Sequence, residues 1–134
     1  MSAGYSNTPL VKKLGINDVQ KILLINEPTD YYNLIGKDLV SQFCKKGESP
    51  DFIHLFILNR KELEKEMALI LKKIKPTTVI WVSWYKKSSG LNTDVTDNVI
   101  RNWALGNGLV DVKVCAVSDT WSGLKLVVPL KMRK

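Results

Sequence analysis

The chain has 134 residues, of which 45% are hydrophobic and 25% charged, and its formal net charge is +7. A chain of this length lies within the range of one domain and buries about two thirds of its unfolded surface, enough for a core without disulfide or metal support. The composition excludes a disordered chain, and no apolar run approaches the roughly 18 residues that span a bilayer. We therefore expect a single domain over residues 1–134 that does not bind a membrane.

The cysteines and the single histidine indicate the compartment. Cys44 and Cys115 each lie in an apolar run with no local pattern that pairs them, which predicts two buried thiols. One histidine and no CxxC motif exclude a zinc site held by protein ligands. Residues 1–13 are polar where a secretory signal requires an apolar stretch. The expected location is the cytoplasm.

The first third of the chain predicts short elements after an irregular beginning. In chain order, these are an irregular segment over residues 1–18 with one helical turn at 10–14, a strand at 21–25, a helical turn at 31–35 and a weaker strand at 39–44. The strand at 21–25 is a continuous apolar run, which is typical of a strand buried on both faces.

The clearest strand covers residues 51–58, where both alternating faces are apolar, so helices are expected on both sides of the sheet. His54 lies within it and is predicted to be a buried, hydrogen-bonded core residue. Asn59 begins the next helix, with Glu62 three residues later as in a capping box, and Pro76 ends it.

The remaining pattern continues with a strand, a helix and a hairpin. In chain order, these are a two-faced strand at 77–84, a helix capped by Thr93 or Asp94 and ended by Gly106 and Gly108, and a β-hairpin with strands at 110–116 and 124–130 around a turn at 118–123. This order predicts an α/β fold with an open, mostly parallel sheet, flanked by helices and ending in an antiparallel β-hairpin.

This order of elements resembles the later two thirds of the S-adenosylmethionine-dependent methyltransferase fold, which is Rossmann-like. Four stretches are also similar to a family of small bacterial proteins known as a domain of unknown function: GYSNTPLVKKLGI (4–16), DFIHLF (51–56), WVSWYKKSSG (81–90) and GLVDVKVCAVSDTWSGLKL (108–126). The resemblance spans nearly the whole chain. It implies a Rossmann-like domain and carries no known activity.

Two features of cofactor-binding Rossmann-like folds differ in this sequence. Such folds place a glycine-rich turn after the first strand and an acidic residue at the end of the second. Here the turn reads NEPTDYY (26–32), with no glycine before Gly36, and Lys45 and Lys46 follow the second predicted strand. We therefore predict that S-adenosylmethionine does not bind.

Ligands of open parallel sheets bind at the carboxyl ends of the strands, and several polar or aromatic residues are predicted there. The candidate binding residues are Asn26, Glu27, Trp84, Lys86, Lys87, Ser88, Ser89, Gly90 and Trp121. The lysines, hydroxyls and glycine of residues 86–90 suit an anion near a helix N-terminus, and the alternative is a solvated loop. The two tryptophans suit a flat ligand, and the alternative is packing against the sheet edge.

The positive charge lies in the second half of the chain. Residues 72–134 contain 11 Lys/Arg and 4 Asp/Glu, against 9 and 9 in residues 1–71. An anionic ligand or nucleic acid is the expected partner if these charges share one face, and a solvated surface is the alternative.

No nucleophile stands beside a general base in the sequence, and no cofactor can be named from it. The favoured function is a non-catalytic binding or regulatory module. A nucleic-acid or phosphate-ligand binding protein and a divergent, methyltransferase-like transferase remain as alternatives.

Overall fold

The computed structural model describes residues 8–132. The helices are α1 (Leu10–Leu14), α2 (Tyr31–Ile35), α3 (Arg60–Leu71) and α4 (Asp97–Leu105), and the strands are β1 (Ile22–Ile25), β2 (Phe52–Phe56), β3 (Val79–Tyr85), β4 (Val110–Ala116) and β5 (Trp121–Val127). Short 3₁₀ turns cover Val40–Gln42, Lys87–Ser89 and Leu130–Met132. The first seven residues of the predicted irregular segment, and Arg133 and Lys134 at the C-terminal end, lie outside the described residues.

The five strands form one sheet in the order β1-β2-β3-β5-β4. The first three strands are parallel, with Leu24, His54 and Trp81 side by side across them. Strand β5 is antiparallel to β3, and β4 is antiparallel to β5, so β4 runs in the same direction as the first three strands. This confirms the predicted mostly parallel sheet with a C-terminal antiparallel hairpin.

Helices cover both faces of the sheet, as the two-faced strands require. On one face, Ile53 and Leu55 of β2 belong to a core cluster with Leu63 and Met67 of α3 and with Ile100 of α4. The opposite face carries a second cluster, whose residues come from α1, α2, the strands and the segments that connect them: Leu14, Ile16, Ile22, Tyr31, Ile35, Leu39, Phe52, Phe56, Trp81, Val117 and Trp121. Alternation along each strand thus divides the side chains between two separate cores.

The predicted strand at residues 39–44 is wrong. The segment forms the 3₁₀ turn Val40–Gln42, and its contribution to the sheet is one parallel bridge between Phe43 and Ile22. The Gln42 side-chain amide donates to the carbonyl oxygens of Asn17 (2.7 Å) and Gln20 (3.1 Å). These hydrogen bonds, together with the full burial of Leu39, hold the segment against the residues that precede β1, so it does not pair along the edge of that strand.

Two predicted boundaries also differ from the structure. Helix α4 begins at Asp97 with Thr96 as its N-cap, whereas Thr93 and Asp94 bind to residues 58–60. The last strand is Trp121–Val127, three residues earlier than predicted, because pairing with β3 begins at Tyr85 and Trp121. No helix of the described residues is long and apolar enough to cross a bilayer; α3, the longest, has 12 residues.

Candidate functional site

The carboxyl edge of the sheet collects the predicted site loops. Strands β1, β2, β3 and β4 all end at this edge, and β5 begins there. The backbone N–H of Lys86 donates to the Thr120 carbonyl oxygen at 2.8 Å, which ties the loop after β3 to the hairpin turn. The candidate residues of the 86–90 loop, Asn26, Glu27 and Trp121 therefore lie along the same edge.

A cleft of about 560 Å³ opens at the carboxyl end of β3, between the 86–90 loop and the start of α4. We call it the β3 cleft. Its lining residues are Trp84, Tyr85, Lys87, Gly90, Leu91, Asn92, Thr93, Val95, Thr96 and Asp97. Three of the predicted site residues, Trp84, Lys87 and Gly90, are thus brought together, while the other six lie outside this lining.

The loop that borders the cleft is held by its own hydrogen bonds. The Ser89 hydroxyl donates to the Lys86 carbonyl oxygen at 2.6 Å and accepts from the Leu91 N–H at 3.2 Å. Gly90 ends the 3₁₀ turn with φ 76°, a left-handed conformation that favours glycine. The Ser89 hydroxyl therefore stabilises the loop itself, whereas the Lys87 and Ser88 side chains are exposed.

The electrostatics of the cleft depend on two charged side chains. Asp97 is its one lining carboxylate, and Arg101 approaches it at 3.4 Å while also donating to Asp111 at 3.0 Å. Lys87 is the one lining cation and has no ion pair among residues 8–132. Because the Asp97 charge is shared with Arg101, Lys87 is the group in the cleft that is available to a ligand.

The two candidate tryptophans are packed on opposite faces of the sheet. Trp84 is 8% exposed and belongs to the core on the α3 and α4 face, together with Val95. Trp121 is 9% exposed and contacts Phe56 edge-on, with ring centroids 5.0 Å apart, and Tyr85 at 4.7 Å. Trp84 forms part of the cleft lining, and Trp121 is a core residue below the hairpin turn.

Asn26 and Glu27 form a separate turn after β1. Asn26 has φ 59°, so this residue adopts the left-handed conformation that glycine usually supplies. Its side-chain amide lies 3.5 Å from the Glu66 carboxylate of α3, and the Glu27 carboxylate accepts from the Tyr32 hydroxyl at 3.3 Å. The turn thus places a residue with a side chain in the left-handed conformation, and that side chain contacts α3.

His54 is the centre of a buried hydrogen-bonded chain, which confirms its prediction as a core residue. The Tyr31 hydroxyl lies 2.9 Å from His54 Nδ1, and the Ser83 Oγ lies 2.7 Å from His54 Nε2. Each of the three residues is 0% exposed. Burial lowers the pKa of His54 to about 3 and raises the pKa of Tyr31, so both groups are neutral at neutral pH. A serine beside a histidine can form a nucleophile, but a substrate cannot reach this one.

The basic residues of the second half that the structure describes do not share one face. Lys72 and Lys73 follow α3 at the amino edge of the sheet, whereas Lys87 lies at the carboxyl edge. Lys113 and Lys125 face each other across β4 and β5. A continuous track for a nucleic-acid backbone, which the sequence interpretation required, is not formed by these residues.

The cysteines and the acidic side chains form no metal site in the described part of the chain. Cys44 and Cys115 are half-buried, not fully buried as predicted, and burial raises the pKa of both thiols. Within residues 8–132, no group of three or more histidine, cysteine, aspartate or glutamate side chains is arranged to hold a metal ion.

Comparison with known proteins identifies the fold. No protein-family model and no curated protein matches the chain. Among solved structures, the M1A22 tRNA methyltransferase TrmK of B. subtilis superposes with a TM-score of 0.58 at 7% identity, covering 90% of this chain and 64% of TrmK. A protein of the NADB-Rossmann superfamily from Streptococcus agalactiae superposes with a TM-score of 0.55 at 10% identity, covering 95% of this chain and 71% of that protein. The ribosomal protein L11 methylase of Lactobacillus delbrueckii subsp. bulgaricus superposes with a TM-score of 0.55 at 8% identity, covering 89% of this chain and 74% of the methylase.

These likenesses establish a methyltransferase-like Rossmann fold. The chain spans about two thirds of TrmK, the first of these structures. Strand β1 lies at one edge of the sheet, and Phe43 forms an isolated parallel bridge with Ile22 of this strand. At this level of identity the likeness describes the fold and not the activity.

Proposed function

We propose that this chain is a non-catalytic binding or regulatory module that holds a flat, anionic small molecule in the β3 cleft. The observation that carries the proposal is the pairing of an aromatic wall, Trp84, with the exposed ammonium group of Lys87 in one cleft. The cleft lies at the carboxyl edge of a parallel sheet, which is where ligands of this architecture bind.

The size and lining of the cleft suit a small molecule. Its volume of about 560 Å³ lies within the range of small-molecule sites. Trp84, Val95 and Leu91 supply apolar contact area, and the exposed Asn92 amide can donate and accept hydrogen bonds. Lys87 then selects for negative charge, because it is the cation of the lining.

The threonine hydroxyls of the cleft support binding without catalysis. Thr93 Oγ1 donates to the Leu58 carbonyl oxygen at 2.8 Å and accepts from the Val95 N–H at 3.1 Å. The Thr96 hydroxyl accepts from the Val99 N–H at 3.3 Å. Because both threonine hydroxyls hold backbone groups and Asp97 is paired with Arg101, neither threonine stands as a free nucleophile beside a general base.

A ligand screen followed by one charge deletion tests this function. Nucleotides, nucleosides and other aromatic anions are screened by thermal shift, and the affinity of each hit is measured by calorimetry. We expect Lys87→Ala to weaken binding about tenfold or more, because one charge-assisted hydrogen bond contributes about 1.5–3 kcal/mol. Lys61→Ala, on the exposed side of α3 and outside the cleft, is the matched control.

Two outcomes would contradict the proposal. One is a hit whose affinity Lys87→Ala leaves unchanged, and the other is a screen in which no aromatic anion binds. Quenching of tryptophan fluorescence by the hit would support contact with Trp84, since this side chain forms the wall of the cleft.

The structural neighbours favour a second candidate, a divergent transferase, since TrmK and the L11 methylase are methyltransferases. The side chain of Asn26 in the turn after β1 argues against this candidate. Calorimetry with S-adenosylmethionine separates the two. If the chain is the proposed binding module, S-adenosylmethionine should not bind with a Kd below about 10 μM, a binding free energy of roughly −7 kcal/mol. Tighter binding would favour the transferase.

A further inference from the structure

A basic groove lies at the amino edge of the sheet, at the end opposite the β3 cleft. There the loop that leads into β2 meets the end of α3, and a groove of about 440 Å³ separates them. We call it the amino-edge groove. Its lining residues are Leu23, Cys44, Lys45, Lys46, Gly47, Glu48, Ser49, Pro50, Lys72 and Lys73.

The groove has an excess of positive charge. Four lysines and one glutamate line it, so its formal charge is four minus one, or +3. The Glu48 carboxylate already accepts from the Lys45 backbone N–H at 2.7 Å and pairs with Lys21 at 3.5 Å, and the backbone hydrogen bond chiefly lowers its pKa. It therefore remains ionised and is shared with a cation outside the groove.

The lysines around the groove differ in their ion pairs. Lys21 pairs with Glu48, and Lys75 pairs with Asp51. The four lining lysines, by contrast, are exposed and make no ion pair among the described residues.

The end of α3 accounts for only part of this charge. Lys72 and Lys73 follow the last turn of the helix, where they offset a partial charge of about −0.5. Lys45 and Lys46 come from a loop 26 or more residues earlier in the chain and have no helix end to offset. The charge of +3 therefore exceeds the partial negative charge at the end of α3 that it could offset.

We propose that the amino-edge groove binds linked phosphate groups. Several ammonium groups around one groove suit a ligand with several anionic oxygens, since Lys is a common point-charge ligand of phosphate. No aromatic ring lines the groove, so bases would have no stacking platform, and recognition rests on the phosphates. Gly47, with φ 89°, leaves the groove wall without a side chain at that position. The site is independent of the β3 cleft.

Two variants on separate segments test the proposal. Lys45→Gln with Lys46→Gln alters the loop, and Lys72→Gln with Lys73→Gln alters the end of α3. Lys61→Gln with Lys65→Gln, on the exposed side of α3, removes the same charge outside the groove. The probes are inorganic tripolyphosphate, measured by calorimetry, and a labelled single-stranded oligonucleotide of mixed sequence, measured by fluorescence anisotropy.

We expect each groove variant to weaken tripolyphosphate binding by at least about tenfold, since each removes two charge-assisted contacts. The Lys61/Lys65 control should remain within about twofold of the unmodified chain, because both lysines lie outside the groove. Parallel losses for the oligonucleotide would assign the groove to a nucleic-acid backbone, and loss for tripolyphosphate alone would assign it to free polyphosphate. Failure of both probes to bind, or an equal loss in the control, would overturn the proposal. Circular dichroism of every variant establishes that the fold is retained.

Discussion

His54 is held on both sides of its ring. Its two nitrogens face the Tyr31 and Ser83 hydroxyls, and the ring stacks on Phe56 with centroids 4.3 Å apart. A neutral imidazole can donate through one nitrogen and accept through the other, so both hydroxyls are satisfied without a charge. Protonation would bury an uncompensated cation in this core.

This arrangement predicts acid sensitivity. Burial lowers the pKa of His54 from 6.5 to about 3, so between these values the unfolded chain binds a proton that the folded chain does not. The contribution of His54 to the free energy of unfolding is complete above pH 6.5 and falls as the pH decreases towards 3. We expect a loss of roughly 2 kcal/mol from about pH 7 to about pH 5.

Urea unfolding at the two pH values measures the effect, and His54→Gln supplies the comparison, because glutamine is polar but does not titrate. The stability of the variant should depend less on pH over this interval by about the same 2 kcal/mol. Equal pH dependence in both proteins would show that His54 is not the titrating group.

The burial of His54 could be predicted from the sequence, whereas its partners could not. Phe52, Phe56 and Leu55 surround it in an apolar strand, and local pattern is enough to place it in the core. Tyr31 and Ser83 lie 23 and 29 residues away, and only the pairing of strands and the docking of α2 bring them to the ring.

At the scale of elements, the start of α4 depends on one hydroxyl. The Thr96 hydroxyl accepts from the Val99 N–H, which satisfies a backbone donor that the helix leaves unpaired. Thr93 and Asp94, the predicted caps, instead anchor the loop to the end of β2 and the start of α3. The Asp94 carboxylate accepts from the Arg60 N–H at 2.8 Å.

We expect Thr96→Ala to lower the free energy of unfolding by about 1 kcal/mol, the usual loss at an N-cap. Thr77→Ala, at an exposed threonine outside the helices and strands, is the matched control and should change it by no more than about 0.5 kcal/mol. Both values come from thermal or urea unfolding. A loss in the control that equals the loss at Thr96 would argue against the capping role.

The long strands and helices could be predicted from the sequence. Short segments, and features that depend on tertiary contacts, could not. β2, α3 and β3 follow from their apolar periodicity and from Asn59, whose side chain caps α3. The 39–44 segment has a similar apolar pattern, but the hydrogen bonds of Gln42 determine its conformation. Of the β3 cleft, Trp84, Lys87 and Gly90 were predicted from strand-end position, whereas Val95 and Thr96 enter through the docking of α4.

At the scale of the whole molecule, the fold redistributes charge in a way that a count along the sequence does not describe. The second half of the chain holds the +7, but its lysines lie on different surfaces. The amino-edge groove combines Lys72 and Lys73 with Lys45 and Lys46 from a first half of zero net charge. The sequence halves, counted separately, therefore do not indicate this basic groove.

The order of the strands also predicts how stability is distributed. β2 and β3 lie between two other strands, and every residue of β2 is buried. β4 lies at an edge, where Val112 is 52% and Val114 51% exposed and a bulge interrupts pairing near Asp111. Backbone amides of central strands open mainly when the chain unfolds as a whole, while edge strands open by local fluctuations.

We therefore expect the slowest amide hydrogen exchange in β2 and β3 and at least about tenfold faster exchange in β4. Exchange measured by NMR at neutral pH resolves the individual strands. Adding denaturant well below the unfolding midpoint provides the control, because global opening accelerates with denaturant whereas local opening does not. Protection of β4 equal to that of β3, with the same denaturant dependence, would show that the hairpin unfolds with the central sheet and that the edge is not a separately opening unit.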